Sequence, residues 1–148
     1  MDRNRVFEQL KIDEGVVYKV YLDHLGYPTF GVGHLVTKDD PEHGSDVGTP
    51  VSEERVAECF ERDLDTAIDE CYKLYGAGTF NNFPGEVREI LVNMMFNMGR
   101  PRLSGFKNFT AAIIAADWNK AADEMVDSKW YRQVGARAER LVERMRNA

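Results

Sequence analysis

Long apolar runs are missing from this sequence. No stretch approaches the ~20 apolar residues that a bilayer-spanning helix needs, so membrane insertion is not expected. The start, Met1-Asp2-Arg3-Asn4-Arg5 and then Val6-Phe7-Glu8-Gln9-Leu10, contains no apolar h-region, and no cleavable signal peptide is expected. Cysteine is scarce. Only Cys59 and Cys71 occur, twelve residues apart in one helical pattern, and a rise of about 1.5 Å per residue separates them by about 18 Å. A disulfide needs Cα atoms within roughly 7 Å. The two are therefore read as small buried hydrophobes, in keeping with a reducing compartment. A basic excess is missing too: 19 Lys and Arg stand against 25 Asp and Glu, a net charge of −6. That balance argues against nucleic acid and anionic membrane surfaces as partners. Internal repeats and low-complexity segments are also absent.

What is present is an ordinary globular balance, with 43% apolar or aromatic residues and 30% charged residues. A chain of 148 residues most simply forms one domain. Val6, Phe7 and Leu10 predict a short first helix that stops near Glu14-Gly15, glycine being a good terminator. The Val- and Tyr-rich run from Val16 to Leu22 reads as a strand, His24-Leu25-Gly26 as a turn, and Thr29 to Val32 as a second strand. Lys38 to Thr49 is an acidic, turn-rich loop. Ser52 is a good N-cap, with Glu53 and Glu54 in the first turn where the helix dipole favours anions. Val56, Phe60, Leu64, Ile68, Cys71 and Tyr75 then recur every three or four residues, predicting about six helical turns that end at Gly76-Ala77-Gly78. Val87, Ile90, Leu91, Met94, Met95 and Met98 mark a more apolar helix closed by Gly99. Further amphipathic stretches run from Phe106 to Ala116, Trp118 to Val126 and Ala136 to Met145. The expected class is α+β: a small hairpin-containing lobe (roughly 15–51), a long linking helix (roughly 52–75), and a larger helical lobe (76–148).

The stretch that carries chemistry is Asp13-Glu14-Gly15 followed by Asp23-His24-Leu25-Gly26-Tyr27-Pro28-Thr29-Phe30-Gly31-Val32-Gly33-His34. Glu14 ends the first helix; Asp23, nine positions on, stands at the lip of the hairpin. Carboxylates from two elements can face each other across a gap, which is the arrangement glycoside hydrolysis requires. Among 25 acidic residues such a spacing is common, so the ordered string is the specific signal. Phe7…Leu10…Ile12-Asp13-Glu14-Gly15, Tyr21-Leu22-Asp23, Gly26-Tyr27-Pro28-Thr29, Gly31-Val32-Gly33-His34-Leu35, Asn93-Met94-Met95-Phe96-Asn97-Met98-Gly99 and Trp130-Tyr131-Arg132-Gln133…Arg137-Ala138…Arg140 follow one another. In this order they resemble the phage-type lysozymes, the muramidases of T-even bacteriophages, from about Phe7 to Arg140.

The resemblance implies a lysozyme-like fold in which residues 1–14 join the helical lobe and a cleft between the lobes carries the site. It implies Glu14 as general acid, Asp23 as the carboxylate that orients or deprotonates water, and Thr29 as a hydroxyl holding that water. A surface glutamate, a turn-capping aspartate and a β-branched strand residue are the corresponding structural readings. Leu35, Phe96 and Asn97 match substrate-lining positions, with Asn97 shorter than the family's usual glutamine. Phe109 and Glu124 replace polar substrate contacts, and no binding role is carried to them. Arg137 is expected to pair with Glu14, Arg140 with Asp13, and His34 with Asp63, all as structural support. The acidic group Asp39, Asp40, Glu42, His43 and Asp46 lacks calcium-loop spacing, and neither a metal nor another cofactor is expected.

The resemblance then implies an endolysin-type muramidase. It would cleave the β-1,4 bond between N-acetylmuramic acid and N-acetylglucosamine in peptidoglycan with inversion, as a monomer. It would wait in the host cytoplasm for holin-type release to the cell wall. A lytic transglycosylase would cut the same bond without water. A wall-binding or virion protein would not cut it.

Overall fold

The computed structural model describes residues 1–148 and has an α+β architecture. In chain order the elements are α1 (Arg3–Glu14), β1 (Val17–Leu22), β2 (Pro28–Gly31), β3 (His34–Leu35), α2 (Glu53–Tyr75), α3 (Ala77–Asn82), α4 (Gly85–Met98), α5 (Arg100–Ser104), α6 (Lys107–Ile114), α7 (Trp118–Val126), α8 (Lys129–Val134) and α9 (Ala136–Arg146). The chain divides into two compact units, Phe7–Thr66 and a helical unit of Met1–Val6 with Ala67–Ala148. The division falls inside α1 and α2 rather than at their ends, so only Met1–Val6, not residues 1–14, joins the helical unit.

Local contacts explain the split of α1. In the sheet-bearing unit, the Phe7 ring stacks on Phe60 of α2 with centroids 4.1 Å apart. In the helical unit, the Asp2 amide donates to Glu89 at 3.2 Å, and Arg5 lies 3.5 Å from the same carboxylate. Glu89 is buried on α4, and Arg144 of α9 lies 3.3 Å away, so its burial is charge-compensated.

The sheet has order β1-β2-β3 and is antiparallel throughout. Tyr21 stands opposite Thr29 and Leu22 opposite Pro28; an irregularity separates these pairs from Val17 opposite Gly31. Thr29 in turn stands opposite Leu35. Residues facing each other in an antiparallel ladder share a sheet face, so Tyr21, Thr29 and Leu35 form one cross-strand row. The far edge of β1 is covered by the end of the loop read as irregular. Val20 donates to the Thr49 carbonyl at 2.9 Å, and Val51 donates to that of Tyr18 at 3.0 Å. An edge paired in this way is closed to other chains.

Helix α2 begins as its cap predicts: the Ser52 hydroxyl accepts from the Arg55 amide at 3.1 Å. Its apolar stripe, Val56, Cys59, Phe60, Leu64, Cys71 and Tyr75, is buried, and both cysteines are free thiols. Burial pushes the Cys71 thiol up to about 12, which keeps it neutral. In the helical unit, α4 supplies Val87, Ile90, Leu91, Met94 and Met95 to a core completed by Leu103, Phe109, Ile113, Met125, Trp130, Leu141 and Met145. Three short helices, α3, α5 and α8, lie between the longer ones. The last is capped by Ser128, which accepts from the Tyr131 amide. No helix is long and apolar enough to cross a membrane.

Candidate active site

All three candidate catalytic residues, Glu14, Asp23 and Thr29, fall in the sheet-bearing unit. Glu14 is the last residue of α1 and is partly buried. A carboxylate there meets the negative end of the helix dipole, so helix stability gives no reason for it. Its seat is the turn between β2 and β3. Gly33 has φ +63°, and a β-carbon on it would lie 2.9 Å from Glu14 Oε2. Glycine accommodates the left-handed backbone without strain, and any side chain there would push the Glu14 carboxylate aside.

Asp23 is held by its own turn. Its Oδ1 accepts from the Leu25 and Tyr27 amides, each at 2.9 Å. Its amide donates to the Tyr27 carbonyl, and its carbonyl accepts from Gly26. The turn-capping role is therefore real, and because it uses one oxygen, Oδ2 remains outside it. Thr29 is buried, and its hydroxyl donates to the Tyr27 carbonyl at 2.9 Å. With its proton committed, Thr29 Oγ1 can only accept from a further partner.

Tyr21 was not singled out by the sequence, yet it sits among these groups. It is half-buried, and its phenol is held above the ordinary range by burial first and then by the negative charges of Glu14 and Asp23. The cross-strand pairing with Thr29 is a long-range fact that no local pattern signals.

His34 stands between two carboxylates. Nδ1 is 2.7 Å from Asp63 Oδ2, and Nε2 is 2.9 Å from Asp40 Oδ2. Burial alone would lower its pKa, but the bonds to Asp63 and Asp40 raise it. Burial likewise opposes ionisation of Asp40, yet bonds from Thr37 and His34 bring it down to about 2. Arg55 grips Glu42 through Nε and Nη2 at 2.9 and 3.0 Å and reaches Asp40 at 3.1 Å. Asp40 and Glu42 of the acidic loop are thus engaged by His34 and Arg55. No group of three His, Cys, Asp or Glu side chains converges as a metal site.

The remaining candidates fall in both units, Leu35 and Asp13 in the sheet-bearing one and Phe96, Asn97, Arg137 and Arg140 in the helical one. Leu35 belongs to β3 and is half exposed, whereas Phe96 and Asn97 sit on α4. Asn97 Oδ1 accepts from the indole of buried Trp130 at 2.7 Å, so its carbonyl has a structural role. Arg137 is buried at the start of α9; Nε donates to Asn93 Oδ1 at 2.9 Å, and Nη2 to the Asn93 carbonyl at 3.3 Å. Asp13 accepts from Gln9, one turn earlier, at 3.1 Å. Phe109 is 1% exposed and so contributes to the core. Its ring also backs an open hollow of about 260 Å³ whose wall includes Glu124, Lys107 and Lys129.

An α+β chain that presents a helix-end glutamate and a turn-held aspartate from one small sheet unit has the layout of a lysozyme-type hydrolase. The family model described as "Phage lysozyme" matches residues 11–148, and the chain belongs to that family. It is 30% identical to "Probable T4-type lysozyme 2" of Dictyostelium discoideum, over 91% of this chain and 89% of that protein. It is 30% identical to the "Endolysin" of Salmonella phage P22, over 78% of this chain and 82% of that protein. It is also 33% identical to the "Pre-baseplate central spike protein Gp5" of Enterobacteria phage T4, over 90% of this chain. There it spans only 26% of the longer protein.

Proposed function

We propose that this chain is a muramidase that hydrolyses the β-1,4 bond between N-acetylmuramic acid and N-acetylglucosamine in bacterial peptidoglycan, with inversion at the anomeric carbon. The observation that carries the reading is the pair of carboxylates from different elements: Glu14 packed beside Gly33, and Asp23 clamped by two amides of its turn with Oδ2 outside that clamp. In this assignment Glu14 protonates the leaving oxygen while Asp23 takes a proton from the attacking water. Thr29 Oγ1 accepts the water's other hydrogen, the role its own committed proton leaves it. Leu35, Phe96 and Asn97 are assigned to the glycan, and Arg137 and Arg140 to support of Glu14 and Asp13. Residues 1–148 act as a single lysozyme domain, a monomer that meets its substrate at the cell wall after release from the host cytoplasm.

Digestion of purified peptidoglycan with product analysis tests this. A reducing muramic acid end, formed first as the inverted anomer in proton NMR, is the expected product. A 1,6-anhydro end instead makes the protein a transglycosylase, and no release of glycan makes it a binding protein. The match to part of a spike protein favours one second reading, the same chemistry carried on a virion. Mass spectrometry of purified particles separates the two locations.

A further inference from the structure

Both ring nitrogens of His34 face carboxylate oxygens. Nδ1 lies 2.7 Å from Asp63 on α2, and Nε2 lies 2.9 Å from Asp40 in the loop that follows β3. An ionised carboxylate only accepts hydrogen bonds, and a neutral imidazole carries one N–H and one lone pair. Both contacts are therefore hydrogen bonds only while the ring is a cation. We propose that His34 is a proton-operated latch: as a cation it ties the first turn of the loop to α2, and on losing its proton it keeps Asp63 and lets go of Asp40.

The surroundings decide which contact yields. Asp40 Oδ2 also accepts from the Thr37 amide at 2.8 Å and the Thr37 hydroxyl at 3.2 Å, and Oδ1 accepts from Arg55 at 3.1 Å. His34 is the one hydrogen-bond partner of Asp63. The single proton of the neutral ring is therefore worth more on Nδ1, facing Asp63. The Nε2 lone pair then meets Asp40 Oδ2, and two acceptors that close repel. Other charges surround the cluster. Arg55 of α2 also binds Glu42 of the loop through Nε and Nη2 and lies 3.4 Å from Glu58. On the β2 side the ring meets uncharged Phe30, centroids 4.9 Å apart, and Glu14 of α1 packs beside Gly33, the residue before His34. Arg55 holds Asp40 and Glu42 in either state of His34, so the change is a local opening of the turn and the loop stays tethered.

Asp40 organises the turn that opens. The Thr37 amide donates to Asp40 Oδ2, the Asp40 amide to the Thr37 carbonyl at 3.1 Å, and the His43 amide to the Asp40 carbonyl at 3.0 Å. Repulsion at Oδ2 bears directly on the first of these bonds and, through Asp40, on the other two. Burial opposes the charge on His34, and the bonds to Asp63 and Asp40 outweigh it. The ring therefore titrates above its ordinary value, and the latch is closed at pH 6. His34 begins β3, a two-residue strand directly after Gly33, so the latch fastens the loop to the strand beside the glycine that Glu14 packs against.

Hydrogen exchange of the whole chain tests this, read at single amides by mass spectrometry with electron-transfer fragmentation and corrected for the intrinsic rate at each pH. Between pH 6 and pH 9 the protection of Thr37, Asp40 and His43 should fall about ten- to a hundredfold, the range a hydrogen bond to a charged group spans. That of Leu91 and Met94 should hold within about threefold. The midpoint should match the titration of His34 followed by its ring-nitrogen NMR shifts, and those shifts should show the neutral ring protonated on Nδ1. Asp63→Asn separates a latch from a plain ion pair. Its carboxamide can donate to Nδ1, which leaves the neutral ring its proton on Nε2 for Asp40, so the turn should stay protected at pH 9. Circular dichroism checks that the variant is folded; if it is not, the exchange and tautomer of the parent decide alone. Protection unchanged between pH 6 and pH 9, a midpoint apart from the ring titration, a neutral ring protonated on Nε2, or an Asp63→Asn turn that opens as the parent's does overturns the proposal.

Discussion

Replacing Gly33 by alanine isolates the seat of Glu14, and Gly31 provides a matched control. Both glycines lie in the β2–β3 turn region with left-handed backbones, φ +63° and +66°. A side chain at either position incurs about 1–2 kcal/mol for that conformation. For a chain near 150 residues this amounts to roughly 2–8 °C in Tm, and it should be similar in both variants. The two differ in what the new methyl meets. At Gly31 it lies 3.2 Å from a Val56 methyl carbon, whereas at Gly33 it lies 2.9 Å from Glu14 Oε2 and 3.5 Å from the carboxyl carbon. The Glu14 carboxylate must retreat by roughly half an ångström to reach ordinary contact distance. A displacement of about 1 Å at a reacting group is worth up to about 10²-fold in rate, so a half-ångström shift in Gly33→Ala should cost about tenfold in kcat/KM. Gly31→Ala should stay within a few-fold. The assay is initial lysis of one peptidoglycan preparation, at a temperature well below both melting transitions. Equal losses in the two variants would mean that backbone strain, not the carboxylate, is what Gly33 guards. Full activity of Gly33→Ala would refute the seat altogether.

Glu14→Gln should reduce turnover by about 10²–10⁴-fold with unchanged Tm, since the amide keeps the size of the group but donates no usable proton; lysis within threefold of the parent would remove Glu14 as the acid. The His34 clamp should make stability depend on pH. Because the folded pKa of His34 is raised, its contribution is present below about 6.5 and is lost as pH rises through the folded value. Asp40 works in the other direction: its contribution is present above its ordinary 3.8 and is lost as pH falls toward about 2. In urea unfolding, His34→Gln should therefore be most destabilised between these limits and approach the parent at pH 9. A pH-independent gap would contradict the charged clamp. Net charge −6 should make added salt raise the lysis rate of an anionic wall, because repulsion is screened over about 10 Å at 0.1 M and about 3 Å at 1 M. A monotonic fall from the lowest NaCl concentration would mean that a local basic patch governs approach.

The longer helices were legible because their signals are local and repeated. The Trp118 to Val126 reading coincides with α7, and the long helix starts at Glu53 beside its Ser52 cap. The short elements α3, α5, α8 and β3 were not read. At 6, 5, 6 and 2 residues they are too brief for a hydrophobic period to develop. The pairing of the loop end with β1 was hidden for another reason, since nothing in Gly48-Thr49-Pro50-Val51 says which strand it will meet. The same distinction runs through the site. Glu14, Asp23 and Thr29 stood out as an ordered string, and His34 with Asp63 through the resemblance. Gly33 as the seat of Glu14, Asp40 as a second partner of His34, and Tyr21 opposite Thr29 depend on approaches that exist only once the sheet is folded.

The proposed acid, base and water-holding groups all come from residues 14–29, and the glycine against which Glu14 packs is only four residues farther on. Two are held by backbone hydrogen bonds, a carboxylate capped by two amides and a hydroxyl bonded to a carbonyl, and the third packs at a helix end against a left-handed glycine. Backbone-held groups keep their geometry only while the sheet is paired, and a three-stranded sheet with a two-residue edge strand holds few bonds in reserve. The helical unit has its own core around α4 and does not share that dependence. Local opening of the sheet therefore disables the proposed chemistry at a lower free energy than global unfolding requires. Amide exchange should accordingly be faster at Tyr21 and Thr29 than at Leu91 and Met94, and activity should fade with the sheet before the α-helical signal is lost.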